Sequence, residues 1–475
     1  MASRCPHKPG ATAALARLGL PLLWALASCT SRPPATTEPR PKGEGASAAS
    51  ASGAGSSGPA ASPAGSILVD AVAQASPYAS APAGPAVSLD EGHVVDGAAL
   101  RARHRARLSK TSPVVVLTGG TAEELGERLC REVVPVRPPS TPVLLKPNIG
   151  GFQSRLDPKV PGGDDGLRGR ITQPAFVRGV VRCLKARGHT RITVADSYGG
   201  SAAKWQALMV ASGYDAMARA EGVRLVAMSD DGVADKEGDH AGAPLRISGL
   251  EGTHVPTLRM PKVLAEHLQD GLFLSLPKIK THRFSVVSLG IKGMQGAVML
   301  ADKKPAYQQK SLMHRELNAY ASALGPGASG DRAAYVAALL AFSERMVDVL
   351  ELEAPDAVLA EGAPAVWGDG FDKLWPGPES VAIGGENTVL VDRVGAEYLG
   401  LFQNKSLAAK LGGHATSPLI ELAARRFGLD LGSPELRGDG VARIAAHPPT
   451  HFLSMAPFEL HDNAQPPSLP PALMP

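Results

Sequence analysis

Cysteine is scarce in this chain, with four among 475 residues. Cys5 and Cys29 lie in the N-terminal leader region, so only Cys130 and Cys183 remain for a folded body. Two thiols are too few for an iron–sulfur cluster, which takes four protein ligands, and none is expected. A disulfide between them is allowed outside the cytoplasm. Cys183, however, falls on an apolar helical stripe, and the pair is expected to be two buried small hydrophobes. Aromatic residues make up only 4% of the chain and the net charge is only +4, with lysine and arginine scattered. No basic stripe interleaved with aromatics exists, which argues against a nucleic-acid partner. The Walker spacing, the HExxH pair, the nucleophile elbow and paired Cys–His zinc spacings are all missing.

The chain also lacks a long apolar run at its N-terminus. Leu18–Ala27 is apolar, but about ten residues cannot span a bilayer, which needs about 20. Preceded by Arg4, Lys8 and Arg17, the run has the form of an export signal. The segment Leu26-Ala27-Ser28-Cys29 resembles the bacterial lipobox. That resemblance implies removal of residues 1–28, acylation of Cys29 and anchoring to a membrane, where multiple acyl chains hold stably. Thr30 rather than Asp follows the anchor, so sorting to the outer membrane, facing the periplasm, is expected. The alternative is an ordinary secretory signal cut near Ser28, with Cys29 incidental. Residues 29–66 are Ala, Ser, Gly and Pro with almost nothing to bury, and are expected to form a disordered tether. Residues 67–110 form a mixed connector with one helix predicted over Asp96–Lys110, and residues 461–475 a Pro-rich tail.

The pattern changes over residues 111–460. Short apolar runs appear at Val114–Leu117, Val143–Leu145, Ile192–Ala195, Val223–Ala227, Leu272–Leu276, Asp356–Ala360 and Ser380–Ile383. Each is bounded by Gly, Pro or charge, as buried strands are. Helical patterns lie between them. The clearest runs from Pro174 to Arg187, with Phe176, Val177, Val180, Val181 and Leu184 on one stripe and Gly188 to end it. The alternation predicts an α/β fold with a largely parallel sheet and helices on both faces.

In such sheets ligands bind beyond the carboxyl ends of the strands. Polar residues follow four of the runs: Lys146 and Asn148; Asp196 and Ser197; Lys278, Lys280 and His282; and Glu361. Residues two apart on a strand share a face, so Lys278, Lys280 and His282 are expected to project together. Three potential cations on one face favour an anion. The plainer alternative is a solvated edge strand whose lysines deter pairing. Gly290, Gly293 and Gly296 flank Lys292 at every third residue. That spacing fits either a bare face for close packing or a loop whose amides approach a ligand.

The succession of Lys146-Pro147-Asn148, Thr172 with Pro174, Ala195-Asp196-Ser197, LPKIKTH at Leu276–His282, GIKGMQG at Gly290–Gly296, His314, EGAP at Glu361–Pro364 and Gly368-Asp369-Gly370 resembles the domain of unknown function 362 family over Ser112–Gly400. Many members resemble an α/β domain joined to ferredoxin-type cysteine clusters, which this sequence lacks, so no redox role is carried over. The expected activity is binding, with turnover of an anionic carboxylate or phosphate by a reaction left open. Lys278, Lys280 and Lys292 would hold the charge, while Lys146 and Asn148 would orient the ligand. His282 is the acid–base candidate, since imidazole titrates near neutral pH, with Lys280 and Asp196 as catalytic partners. Thr172, Ser197, Gly293, Gly296 and Glu361 complete the ligand-binding set. A divalent metal is a further expectation, with His282, His314 and Asp196 as candidate ligands. Two rivals stand beside this reading: a non-catalytic lipoprotein that captures an anion, and a structural envelope component in which these residues form an internal ion-pair network. At the sheet edge the site side chains are expected to be partly exposed.

Overall fold

The computed structural model describes residues 88–90, 92–150, 169–196, 202–228, 244–300, 313–323, 331–371 and 374–444. The leader, Cys29, the tether, Ser197 and the tail lie outside the described residues. In chain order the strands are β1 (Val94–Asp96), β2 (Val114–Thr118), β3 (Val143–Pro147), β4 (Ile192–Asp196), β5 (Arg224–Ala227), β6 (Leu245–Ser248), β7 (Leu258–Met260), β8 (Leu272–Leu276), β9 (Lys278–His282), β10 (Val286–Ser288), β11 (Met299–Leu300), β12 (Ala357–Gly368), β13 (Leu374–Pro376), β14 (Val381–Gly385) and β15 (Leu436–Arg437). All seven apolar runs of the sequence are strands.

The main sheet runs β15-β2-β14-β12-β8-β3-β4-β5, with β9, β10 and β13 attached beside β12. A smaller sheet has the order β1-β6-β7-β11. The stretch from β12 through β8, β3 and β4 to β5 is parallel. Beyond that stretch the sheet is mixed: β14 runs antiparallel to both β12 and β2, and β15 pairs with β2 in parallel. Parallel neighbours need a crossover of a dozen or more residues, usually helical. Between Asp356–Ala360 and Ser380–Ile383 the described residues hold no helix, only β13 folded back on β12, and the chain returns antiparallel.

Helices cover both faces, as the alternation of side chains along each strand requires. Val143, Leu145, Leu272 and Leu274 pack into a core with Leu129, Phe176, Val180 and Met217. Leu144 and Phe273 face the opposite core, with Leu264, Phe342, Met346 and Val394. The predicted helices form over Gly97–Leu108 and Pro174–Ala186, the second with proline in its first turn. Helix Ala122–Val133 starts on a full capping box between Thr121 and Glu124. It packs on Pro174–Ala186 with Gly126 and Gly179 at the contact, where a Cβ on either would run into backbone of the other helix. The same two helices correct the reading of the cysteines: Cys130 and Cys183 are joined in a disulfide. An apolar stripe does not distinguish a buried thiol from a buried bridge. The distinction depends on the partner helix placing the second cysteine opposite. Among the described residues no helix is long and apolar enough to cross a membrane.

Candidate functional site

A cavity of about 280 Å³ opens at the carboxyl ends of the central strands. Nine of the residues singled out in the sequence line it: Lys146, Asn148, Asp196, Lys280, His282, Lys292, Gly293, Gly296 and His314. Three others, Lys278, Thr172 and Glu361, are not among its lining residues. The expectation of partly exposed side chains is corrected: Lys146 is 3%, Asp196 3%, Lys280 1% and His282 2% exposed.

Asp196, at the end of β4, organises one wall. Its carboxylate accepts from Lys146 Nζ at 2.9 Å, and from the amides of Ile149 and Gly150 at 2.8 Å each. The buried carboxylate is therefore satisfied by one cation and two backbone donors, as burial of a charge demands. Gly296 makes room for this pair. A Cβ there would stand 2.7 Å from Asp196 Oδ1 and 2.8 Å from Lys146 Nζ. Gly290 is also a packing glycine, since a Cβ would meet Thr388 and Asp392. Gly293, by contrast, lines the cavity, and its nearest neighbour, Ser275 Oγ, would be 3.6 Å from a Cβ. The regular glycine spacing thus serves both packing and the cavity wall. Asp392 caps the turn that carries Lys292, accepting from the amides of Gly290 at 2.6 Å and Ile291 at 2.9 Å. Burial pushes its carboxyl up to about 7, against the pull of those two amides.

Strand β9 divides its cations. Lys278 Nζ lies 2.8 Å from both oxygens of Glu361, and both side chains are 0% exposed. Glu361 also accepts from the amides of Ala363 at 2.6 Å and Gln173 at 3.2 Å. Thr172 joins this scaffold, donating to Leu276 O at 2.7 Å and accepting from Asn148 N at 3.1 Å. Lys280 reaches the cavity, donating to the carbonyls of Arg170 at 2.7 Å and Gly370 at 3.3 Å. Its ammonium also stands 5.6 Å from the Phe371 ring centroid. Burial, then the charges of Lys292, Arg170 and Lys278, hold its pKa well below the usual lysine value, and Asp369 opposes them.

His282 ends β9, and the hairpin to β10 fixes its ring. Its Nδ1 faces the amides of Phe284 at 3.1 Å and Ser285 at 3.3 Å. Two N–H groups aimed at one ring nitrogen require that nitrogen to accept, which puts the single proton of a neutral imidazole on Nε2. Burial and the nearby Lys292, His314 and Lys280 lower its pKa well below the ordinary value. An imidazolium would point its Nδ1–H at two other donors. The geometry therefore suits a fixed neutral donor, Nε2–H, rather than the acid–base imidazole expected from the sequence. It also suits a metal poorly: a ligating histidine donates from its other nitrogen to an acceptor, whereas here that nitrogen accepts. The turn is held with Val286 at φ 71°, a costly conformation for a β-branched residue.

His314 stacks near His282, with ring centroids 6.3 Å apart and planes 10° from parallel. Its Nδ1 is 3.0 Å from Gln295 Nε2. Among the described residues, no three His, Cys, Asp or Glu side chains gather in a way that could hold a metal ion. The cavity also contains Gln295, Asn318, Phe284 and Phe371, which sequence reasoning missed. Gln295 sits inside the Gly-rich motif and was within reach, but nothing marks Asn318 or Phe371 locally. Glu353 was missed too. It is fully buried, neither of its oxygens has a hydrogen-bond partner among the described residues, and burial raises its pKa far above the carboxylate range, with Lys146 opposing.

The sequence profile of the family described as "Domain of unknown function (DUF362)" matches residues 143–397, more than half of the chain. That span includes every cavity-lining residue. No curated protein and no solved structure matches the chain.

Proposed function

The chain belongs to the domain of unknown function 362 family, and from that premise we propose that it is an envelope lipoprotein whose cavity binds a small anion, a carboxylate or a phosphate. The observation that carries this reading is the charge of the lining, where among the described residues Lys146, Lys280 and Lys292 stand with Asp196 and two histidines. Like charges gathered in a buried space repel unless an anion offsets them. Asp196 is already engaged by Lys146 and two amides. A bound carboxylate or phosphate adds negative charge among these cations. Lys292 and Lys280 attract it, Asn148 and Asn318 offer polar contacts, and the Nε2–H of His282 donates to one of its oxygens. Lys278, Glu361 and Thr172 belong to the scaffold beneath.

Anchoring through Cys29 and an outer-membrane location facing the periplasm complete the proposal. The Cys130–Cys183 disulfide supports an oxidising compartment, where such bonds persist. Two measurements test these points. Orthophosphate is expected to raise the melting temperature of the purified protein, and Lys292→Gln to abolish most of that rise. An unchanged melting temperature at saturating phosphate, or a full rise in the variant, overturns the anion reading. Cys29→Ser is expected to release the protein from the membrane fraction and leave the leader uncleaved. Wild-type protein recovered soluble and without lipid overturns the anchor.

A further inference from the structure

We propose that the cavity takes a small anion carrying an aromatic ring, of which benzoate is the simplest probe, and that Phe284 and Phe371 hold the ring. The proposal rests on the reading of the cavity as an anion site and names the class of its ligand.

The room comes first. An apolar cavity of about 150 Å³ holds a benzene molecule, and one water takes about 30 Å³ of liquid. At about 280 Å³ the cavity admits a six-membered ring with an acid group attached, whereas a bare phosphate leaves much of it to water. The walls are of two kinds. Among the described residues the polar lining stands beside Phe284, Phe371, Leu289 and Pro277. Phe176, Phe273 and Phe342 are fully buried in the two cores, but Phe284 and Phe371 are only partly buried. An apolar ligand covers such wall surface with a gain proportional to the area taken from water.

Four rings frame this part of the wall. His282 meets Phe371 edge-on, with centroids 4.9 Å apart and planes at 74°, and stands 5.8 Å from Phe284. Phe284 in turn lies 5.2 Å from His314. Aromatic pairs prefer centroid separations of about 4.5–7 Å, edge-to-face or offset. A fifth ring entering the cavity therefore finds partners of the kind these rings already make. Nearby cations favour an aromatic over a saturated ring. Lys280 Nζ stands 5.6 Å and Arg283 Cζ 4.7 Å from the Phe371 centroid, within the range where a ring face attracts a cation. A benzoate ring against Phe371 lies near the same two charges, and its π face gains from them what a cyclohexane ring does not. Both cations keep their protein partners, since a ring face needs no vacated donor. The acid group turns to the lysines of the lining and to the Nε2–H of His282.

The test is isothermal titration calorimetry of the full protein at neutral pH with acetate, cyclohexanecarboxylate, benzoate, uncharged benzyl alcohol and orthophosphate. Benzoate is expected to bind about thirtyfold more tightly than acetate, the gain from burying one phenyl group. It is expected to bind about fivefold more tightly than cyclohexanecarboxylate, the gain from the aromatic contacts. Benzyl alcohol is expected to bind at least about tenfold more weakly than benzoate, for want of charged hydrogen bonds. In Phe371→Leu the preference for benzoate over cyclohexanecarboxylate is expected to fall to about twofold, and the wild-type series needs no variant to fold. Orthophosphate binding with benzoate no tighter than acetate overturns the ring site and leaves the anion site standing. Benzoate equal to cyclohexanecarboxylate, or a preference undiminished in Phe371→Leu, overturns the aromatic assignment. Benzyl alcohol equal to benzoate supports the ring site and overturns the anion site. A series in which nothing binds, orthophosphate included, overturns both.

Discussion

Glu361→Gln removes the negative partner of a lysine with no access to water. In the wild type Lys278 Nζ sits 2.8 Å from each carboxylate oxygen, with both side chains 0% exposed. Truncating one partner of such a pair strands the other charge, which costs about 3–5 kcal/mol. An exposed pair would cost at most about 1 kcal/mol. For a domain of several hundred residues, 1 kcal/mol corresponds to about 1–2 °C, so a drop of about 5 °C in the melting temperature is expected. The loss also acquires a pH dependence of definite sign. Burial already lowers the pKa of Lys278, and Glu361 opposes that shift; without Glu361 the folded-state pKa falls further below the unfolded value. Between the two pKa values the unfolded chain binds more protons, so the stability of Glu361→Gln rises as pH climbs from the folded-state value toward about 10.4. Adding Lys278→Met to the variant removes the stranded charge, and the double variant is expected to lose less than the sum of the single losses, with a coupling of about 2 kcal/mol. Denaturant melts of the four proteins, with Glu361→Gln repeated at pH 7 and pH 9, measure all of this. A single-variant loss below about 1 kcal/mol, or additive losses with no rise toward high pH, refutes the assignment of Lys278 and Glu361 to a buried, mutually neutralising scaffold.

Gly296→Ala is expected to lower stability by about 1–3 kcal/mol and to weaken phosphate binding about tenfold. A Cβ 2.7 Å from Asp196 Oδ1, against an ordinary contact of 3.4–4 Å, must displace the Lys146–Asp196 pair. Unchanged melting and binding would show that the pair gives way freely. Asp392 sets a second pH response. Its folded-state pKa of about 7 lies above that of an ordinary aspartate, about 3.9, so the folded state binds the extra proton between those values and stability falls as pH rises from about 4 to about 7. Comparing melting temperatures at pH 5 and pH 8 is expected to show a smaller fall in Asp392→Asn than in the wild type.

The strands were readable because each is a short apolar run closed by Gly, Pro or charge, and the helix Pro174–Ala186 because its stripe and its proline agree. The direction of β14 was not, since direction depends on the link that joins two runs and Ser380–Ile383 has the same composition as its parallel neighbours. Lys146, Asp196, Lys280 and His282 could be grouped from sequence because each follows a strand that ends at one edge. Local sequence cannot separate Lys278 from Lys280. Both lie on one face of β9, and only the register of β12 brings Glu361 opposite Lys278 and Val366 opposite Lys280. The surroundings of His282 were not readable for a similar reason: the amides of Phe284 and Ser285 aimed at its Nδ1 are a property of the hairpin rather than of the residue. The disulfide depended on two helices meeting face to face.

The most direct measurement of the central claim is a proton–nitrogen NMR titration of histidine-ring-labelled protein with orthophosphate. The anion-site account expects His282 as a neutral ring protonated on Nε2, not titrating between about pH 5 and 8, the interval in which an ordinary histidine does. It further expects a saturable shift of that Nε2–H as phosphate fills the cavity, lost in Lys292→Gln. A His282 ring that carries its proton on Nδ1, titrates near neutral pH, or stays unmoved at saturating phosphate contradicts it.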